Sequence, residues 1–75
     1  MKKVLIYTTA SCPYCIRAKH LLQEKGLEYT EIRVDLDDTE RDKMISLSGR
    51  RTVPQIFMDG DHIGGFDDLY AYFFK

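Results

Sequence analysis

The 75 residues suffice for one domain and no more. A hydrophobic fraction of 44% is ordinary for a globular chain and argues against disorder. The 11 basic and 12 acidic side chains are interspersed and leave a net charge of −1, so the basic face of a nucleic-acid binder is missing.

Lys2 and Lys3 precede Val4-Leu5-Ile6-Tyr7. That run is shorter than the about 7–15 apolar residues of a signal-peptide core and the roughly 20 of a membrane span. No membrane partner is expected, and the expected location is the cytoplasm, where thiols stay reduced. Val4 to Tyr7 is continuously apolar and β-prone, which predicts a central strand covered on both faces.

Pro13 to Lys25 predicts a helix. Cys15, Ala18 and Leu22 fall at helical spacing with Leu21 beside them, while Arg17, Lys19, Gln23 and Glu24 take the wetter side. Pro13 suits the first turn, where the N–H it lacks would have no helical acceptor. Gly26 is placed for a left-handed cap. Tyr29 to Val34 alternates, with Thr30, Ile32 and Val34 on one side and Glu31 and Arg33 on the other, which predicts a half-exposed edge strand. A second helix follows Asp37-Asp38. Either Asp37 or Thr39 can cap it, since Glu40 and Asp42 lie three residues beyond each. Met44, Ile45 and Leu47 are expected inward, and Gly49 ends the helix.

Pro54 to Met58 predicts another strand, Asp59-Gly60 a hairpin turn, and Asp61 to Ile63 the return strand, broken by Gly64-Gly65. Asp67 to Phe74 predicts a short last helix with Leu69, Tyr70 and Phe73 available to pack. The order is β-α-β-α-β-β-α. A strand–helix–strand unit makes a parallel pair with a right-handed crossover, and the hairpin adds an antiparallel pair. The expected fold is α/β, one domain over residues 1–75, with a mixed four-stranded sheet flanked by three helices.

Cys12 and Cys15 are the only cysteines, two residues apart with Pro13 and Tyr14 between them. A structural zinc site needs four ligands. Besides the two thiols there are His20 on the same helix and His62 in the hairpin, so no second paired half-site exists. A structural disulfide fares no better, because so short a loop removes little unfolded-state entropy. Asp35, Asp37 and Asp38 resemble a cation cluster, but capping accounts for at least one of them, and no metal site is expected.

Redox chemistry remains. Cys12 sits at the start of the helix, where the first N–H groups have no internal acceptor and a thiolate can receive them. The thiolate is the nucleophile, and an unperturbed thiol is only a few per cent ionised at neutral pH. Ionising a thiol almost fully there needs roughly 4 kcal/mol. A helix dipole supplies about 0.3–2 kcal/mol. Direct N–H···S bonds from the first turn, with or without a nearby cation, must supply the rest. Cys15, nearly a turn further on and more buried, is expected to act second.

Cys12-Pro13-Tyr14-Cys15 resembles the active-site sequence of dithiol glutaredoxins. Thr52-Val53-Pro54 resembles their second signature, and Gly64-Gly65-Phe66-Asp67-Asp68 their third. The three stand in the family's order and spacing across nearly the whole chain. The resemblance implies a thioredoxin-like fold with a glutathione groove. Cys12 would attack a glutathione mixed disulfide, and Cys15 would resolve protein disulfides. The Val53–Pro54 bond would be cis, with the Val53 backbone pairing to glutathione's cysteine residue like an added strand between Thr52 and Pro54. Gly64-Gly65 would let the backbone approach the ligand with no Cβ in the way, and Gly65 and Phe66 would be among the glutathione-binding residues. Free N–H groups at Asp67 would receive the γ-glutamyl carboxylate while its side chain meets the ammonium. Tyr14 would wall the sulfur, and Arg41 would reach the glycyl carboxylate.

One position departs from the pattern. Thr9 stands three residues before the nucleophile, where family members usually carry Lys or Arg. Arg17, Arg50 and Arg51 are the other candidates for that charge. The resemblance implies a glutathione-dependent thiol–disulfide oxidoreductase with glutathione as cosubstrate and no tightly bound cofactor. It would act as a monomer on glutathionylated or disulfide-containing proteins, ribonucleotide reductase among the family's possibilities. Two other readings stay open. One is an electron donor reduced by thioredoxin reductase, which Thr9 keeps open and the Thr52-Val53-Pro54 and Gly64-to-Asp68 signatures argue against. The other is an iron–sulfur cluster-binding dimer, which Pro13 and Tyr14 disfavour.

Overall fold

A computed structural model describes residues 3–74. The elements follow the expected order: β1 (Val4–Thr8), α1 (Pro13–Glu24), β2 (Tyr29–Arg33), α2 (Asp38–Ser48), β3 (Gln55–Met58), β4 (Asp61–Gly64) and α3 (Phe66–Phe74). The sheet runs β2-β1-β3-β4. β1 pairs parallel with β2 and antiparallel with β3, and β3 pairs antiparallel with β4. β2 is therefore an edge strand, and β1 lies inside the sheet as its apolar run requires.

Alternation along β1 divides the interior in two. Val4 and Ile6 face one layer, with Ala18, Leu21 and Leu22 of α1, Ile56 and Met58 of β3, and Leu69 of α3. Leu5 and Tyr7 face the other, with Phe57, Val34 and Met44 of α2. Tyr7 meets Phe57 edge to face at 5.8 Å, a favoured arrangement of ring quadrupoles.

Two side chains expected inward are outside. Leu47 is 56% exposed. Met44 and Ile45 already fill the contact of α2 with the sheet, and Leu47 borders an open cleft beside Leu5 and Phe57. Tyr70 is 52% exposed, because its neighbour Leu69 takes the inward direction. It stacks instead on Phe74, with ring centroids 4.6 Å apart.

The ends of the elements follow local chemistry. Of the two candidate caps for α2, Asp37 does the work, accepting from the N–H groups of Thr39 at 2.9 Å and Glu40 at 3.3 Å. Asp59 and Gly60 both have positive φ, 50° and 88°, as the tight hairpin turn demands. Asp59 also accepts from Lys3 N–H and donates its own N–H to the Lys3 carbonyl, each at 2.8 Å, which ties the turn to the foot of β1.

Antiparallel pairing of β1 with β3 sets the site. Tyr7 lies opposite Gln55, and Ile56 opposite Gly64. The loop into α1, the approach to β3 and the exit from β4 are thereby brought to one end of the sheet.

Candidate active site

Cys12 is the N-cap of α1, with extended backbone at φ −107° and ψ 105°. Its Sγ accepts the Cys15 N–H at 3.1 Å, and its carbonyl accepts the Ile16 N–H at 3.2 Å. The half-buried Cys12 thiol donates to the Val53 carbonyl at 3.7 Å. Pro13 at the first helical position has no N–H to satisfy, and the Cys15 N–H takes the thiol as its acceptor. Both cysteines are free.

Cys15 is 1% exposed. Burial pushes its thiol up to about 12, reinforced by its hydrogen bond to Cys12. A thiol raised in this way stays protonated through neutral pH and ionises only as pH climbs toward that value. We expect iodoacetamide to alkylate Cys12 first. Cys15 alkylation should rise about tenfold per pH unit with no plateau through pH 10. Site-resolved mass spectrometry checks this, and a Cys15 plateau near pH 8 would contradict the burial argument.

The loop carrying Cys12 is held from below by charge. Asp35 accepts the Ala10 N–H at 3.2 Å and pairs bidentately with Arg33 at 2.7 and 2.6 Å. The Arg33 guanidinium holds the Asp35 carboxyl down at about 2. Behind the dithiol, Glu31 accepts from the buried Thr8 hydroxyl at 2.7 Å and from Lys19 at 2.9 Å. Those two bonds, Thr8 first, hold its carboxyl below the usual range. Lys19 lies one helical turn after Cys15, a spacing that could have marked it in the sequence.

Beside Cys12 opens a groove of about 230 Å³. Tyr14, Thr52, Val53, Pro54, Gly65, Phe66 and Asp67, all candidates from sequence, line it. The Tyr14 and Phe66 rings stand 6.0 Å apart, and the Val53–Pro54 peptide is cis, as expected. Arg41 is exposed on α2 and is not among the lining residues. Of the three alternative cations, Arg50 lines the groove, Arg17 lies over the Tyr14 ring at 5.2 Å, and Arg51 is exposed.

Two groove residues and one supporting residue escaped the sequence reading. Gln55, 1% exposed, lines the groove and donates to the Thr52 carbonyl at 3.0 Å and hydroxyl at 3.3 Å. Its oxygen lies 2.7 Å from His62 Nε2, which must therefore carry the proton. His62, in the hairpin, is half-buried and braces the approach to β3 through Gln55. Asp68 also lines the groove. Its Oδ2 accepts the Gly65 N–H at 3.1 Å, which lowers its carboxyl first, with Arg50 adding to the effect. Gly64, at φ 126°, packs so closely under Asp68 that a Cβ would collide with the carboxylate, so only glycine fits. Among the described residues, no three His, Cys, Asp or Glu side chains gather where they could hold a metal ion. No helix among them is long and apolar enough to cross a membrane.

Known proteins share this arrangement. A family model described as glutaredoxin matches residues 4–63. Glutaredoxin 3 of Escherichia coli is 56% identical over 71 residues, covering 95% of this chain and 86% of that protein. A glutaredoxin of Pseudomonas aeruginosa is 52% identical over 71 residues, covering 95% and 84%. The crystal structure of a buckwheat glutaredoxin–glutathione complex superposes with a TM-score of 0.87 at 31% identity, over 96% of this chain and 68% of that one. With a cysteine pair spaced and capped in this way on a thioredoxin-like fold, the chain belongs to the glutaredoxin family and is a thiol–disulfide oxidoreductase.

Proposed function

We propose that the protein reduces glutathione mixed disulfides, and protein disulfides, with glutathione as its cosubstrate. The groove that runs from Tyr14 past Val53 to Asp67, joined to Cys12 through the Val53 carbonyl, carries this reading. A buckwheat relative known in complex with glutathione supports it.

The Cys12 thiolate attacks the glutathionyl sulfur of R–S–SG. The Cys12–SG bond forms as the S–S bond of R–S–SG breaks, and R–S⁻ leaves and takes a proton. A second glutathione thiolate then attacks the bound glutathionyl sulfur, releasing glutathione disulfide and the Cys12 thiolate. With a protein disulfide, Cys15 attacks the Cys12 sulfur of the mixed disulfide, the protein thiolate leaves, and the Cys12–Cys15 disulfide remains for glutathione to reduce. The Cys15 N–H at 3.1 Å from the Cys12 sulfur stabilises the thiolate both as it forms and as it leaves. No tightly bound cofactor is needed, one chain carries every group used, and the reducing cytoplasm is the natural setting. Glutaredoxin potentials of about −200 to −230 mV lie near that of the glutathione pool, so the direction follows the cell's poise.

Two NADPH-coupled assays test the reading, one with glutathione and glutathione reductase, the other with thioredoxin reductase alone. Turnover is expected in the first. Turnover confined to the second would overturn glutathione dependence.

A further inference from the structure

Gln55 is buried between the hairpin and the loop that faces Cys12. Its partners fix which way its amide points. Only Nε2 can donate to the Thr52 carbonyl, at 3.0 Å, so Oε1 faces the His62 Nε2–H, at 2.7 Å. The His62 ring lies in turn against Phe57, with centroids 5.0 Å apart. His62 itself is not among the residues that line the groove.

Among the described residues the only cis peptide is Val53–Pro54, so the Thr52–Val53 peptide is trans. Its carbonyl and its N–H therefore point to opposite sides of the chain. Gln55 holds the Thr52 carbonyl on the inner side. The Val53 N–H is turned the other way, and among the described residues it meets no acceptor. The next carbonyl, that of Val53, accepts the Cys12 thiol at 3.7 Å. Without the His62 donor, the Gln55 amide can turn end for end. Its oxygen would then oppose the Thr52 carbonyl, and the peptide would lose its fixed plane.

We propose that His62 is a positioning residue for attack on glutathione disulfides: by donating to Gln55 it locks the Thr52–Val53 peptide so that the Val53 N–H faces the peptide part of the substrate. This rests on the glutathione reading above and goes beyond it in giving a role to a hairpin side chain that lines no part of the groove.

The test follows one chemical step. Reduced protein is mixed with either of two disulfides that share a chromogenic aryl thiol as leaving group. One carries glutathione on the other sulfur, and the second carries 2-mercaptoethanol, which has no peptide to pair. The Cys12 thiolate attacks the alkyl sulfur, the S–S bond breaks, and the aryl thiolate leaves and is read by its absorbance. The native protein is expected to react faster with the glutathione disulfide. His62→Phe keeps a ring against Phe57 but has no donor. It is expected to slow the glutathione disulfide about fivefold, the scale of one hydrogen bond, and the mercaptoethanol disulfide less than about twofold. His62→Gln, whose amide can again donate, should recover most of the rate. In a Gln55→Met background, where the link is already cut, His62→Phe should cost less than about twofold more.

Equal slowing of both disulfides by His62→Phe would mean that His62 only supports the fold around Cys12, and would overturn the proposal. An unchanged rate on the glutathione disulfide, or a penalty that persists in full beside Gln55→Met, would overturn it too, with the glutathione reading untouched. A native protein that reacts alike with both disulfides would overturn the glutathione reading and the proposal together.

Discussion

Cys12→Ser is expected to abolish turnover of a glutathione mixed disulfide, by at least about a thousandfold, because a serine hydroxyl at neutral pH supplies almost no anion to attack sulfur. Cys15 cannot take over. It is 1% exposed and its thiol is pushed up to about 12, so it is neither reachable nor ionised. Cys15→Ser is expected to keep much of the same activity, since the glutathionyl group leaves Cys12 by attack of a second glutathione. It should lose reduction of protein disulfides, where an internal thiol must displace the bound protein. The NADPH-coupled assay on a small glutathione mixed disulfide measures the first activity, and release of thiols from a disulfide-bonded protein the second. A Cys15→Ser protein dead on the small substrate beside an active Cys12→Ser protein would reverse the roles.

Leu22→Ala is expected to cost about 2–5 kcal/mol. Leu22 is 0% exposed, where α1 meets the sheet and α3. Truncation loses the transfer free energy of its side chain and leaves a void that backbone on three sides cannot close. A domain this size has stability on the order of 4–11 kcal/mol, so the loss is a large share of the whole. The melting temperature should fall by at least about 8 °C. Leu47→Ala is the internal comparison. At 56% exposure it should change stability by under about 1 kcal/mol. Urea denaturation measures both, and equal losses would contradict the burial of one and exposure of the other.

Much of this was legible in the sequence, for reasons that differ by element. Pro13 and the Asp59-Gly60 turn act through backbone angles that few residues permit, so their meaning is local. The two cysteines declare themselves by spacing, and the cis proline edge by resemblance. Leu47 and Tyr70 were misread because an apolar residue in a helix shows its angle, not what stands opposite it. Met44 and Leu69, three residues and one residue earlier, had already used the available sheet. Gln55, His62, Asp68 and Arg50 were harder for another reason. Each acts through a partner that only the fold brings near, as Arg50 does with a carboxylate 18 residues away. Arg41 shows the converse: its match is to a family position, and the groove's cation comes from the next loop.

The concealment of Cys15 has a consequence for traffic through the protein. Any disulfide arriving from solution meets one sulfur, never two. The hidden thiol comes into play only after the exposed one has captured a partner and drawn it within bonding reach. Oxidising equivalents therefore enter by a single door and leave in fixed order, so the two cysteines, alike in composition, work as a turnstile with a front and a back.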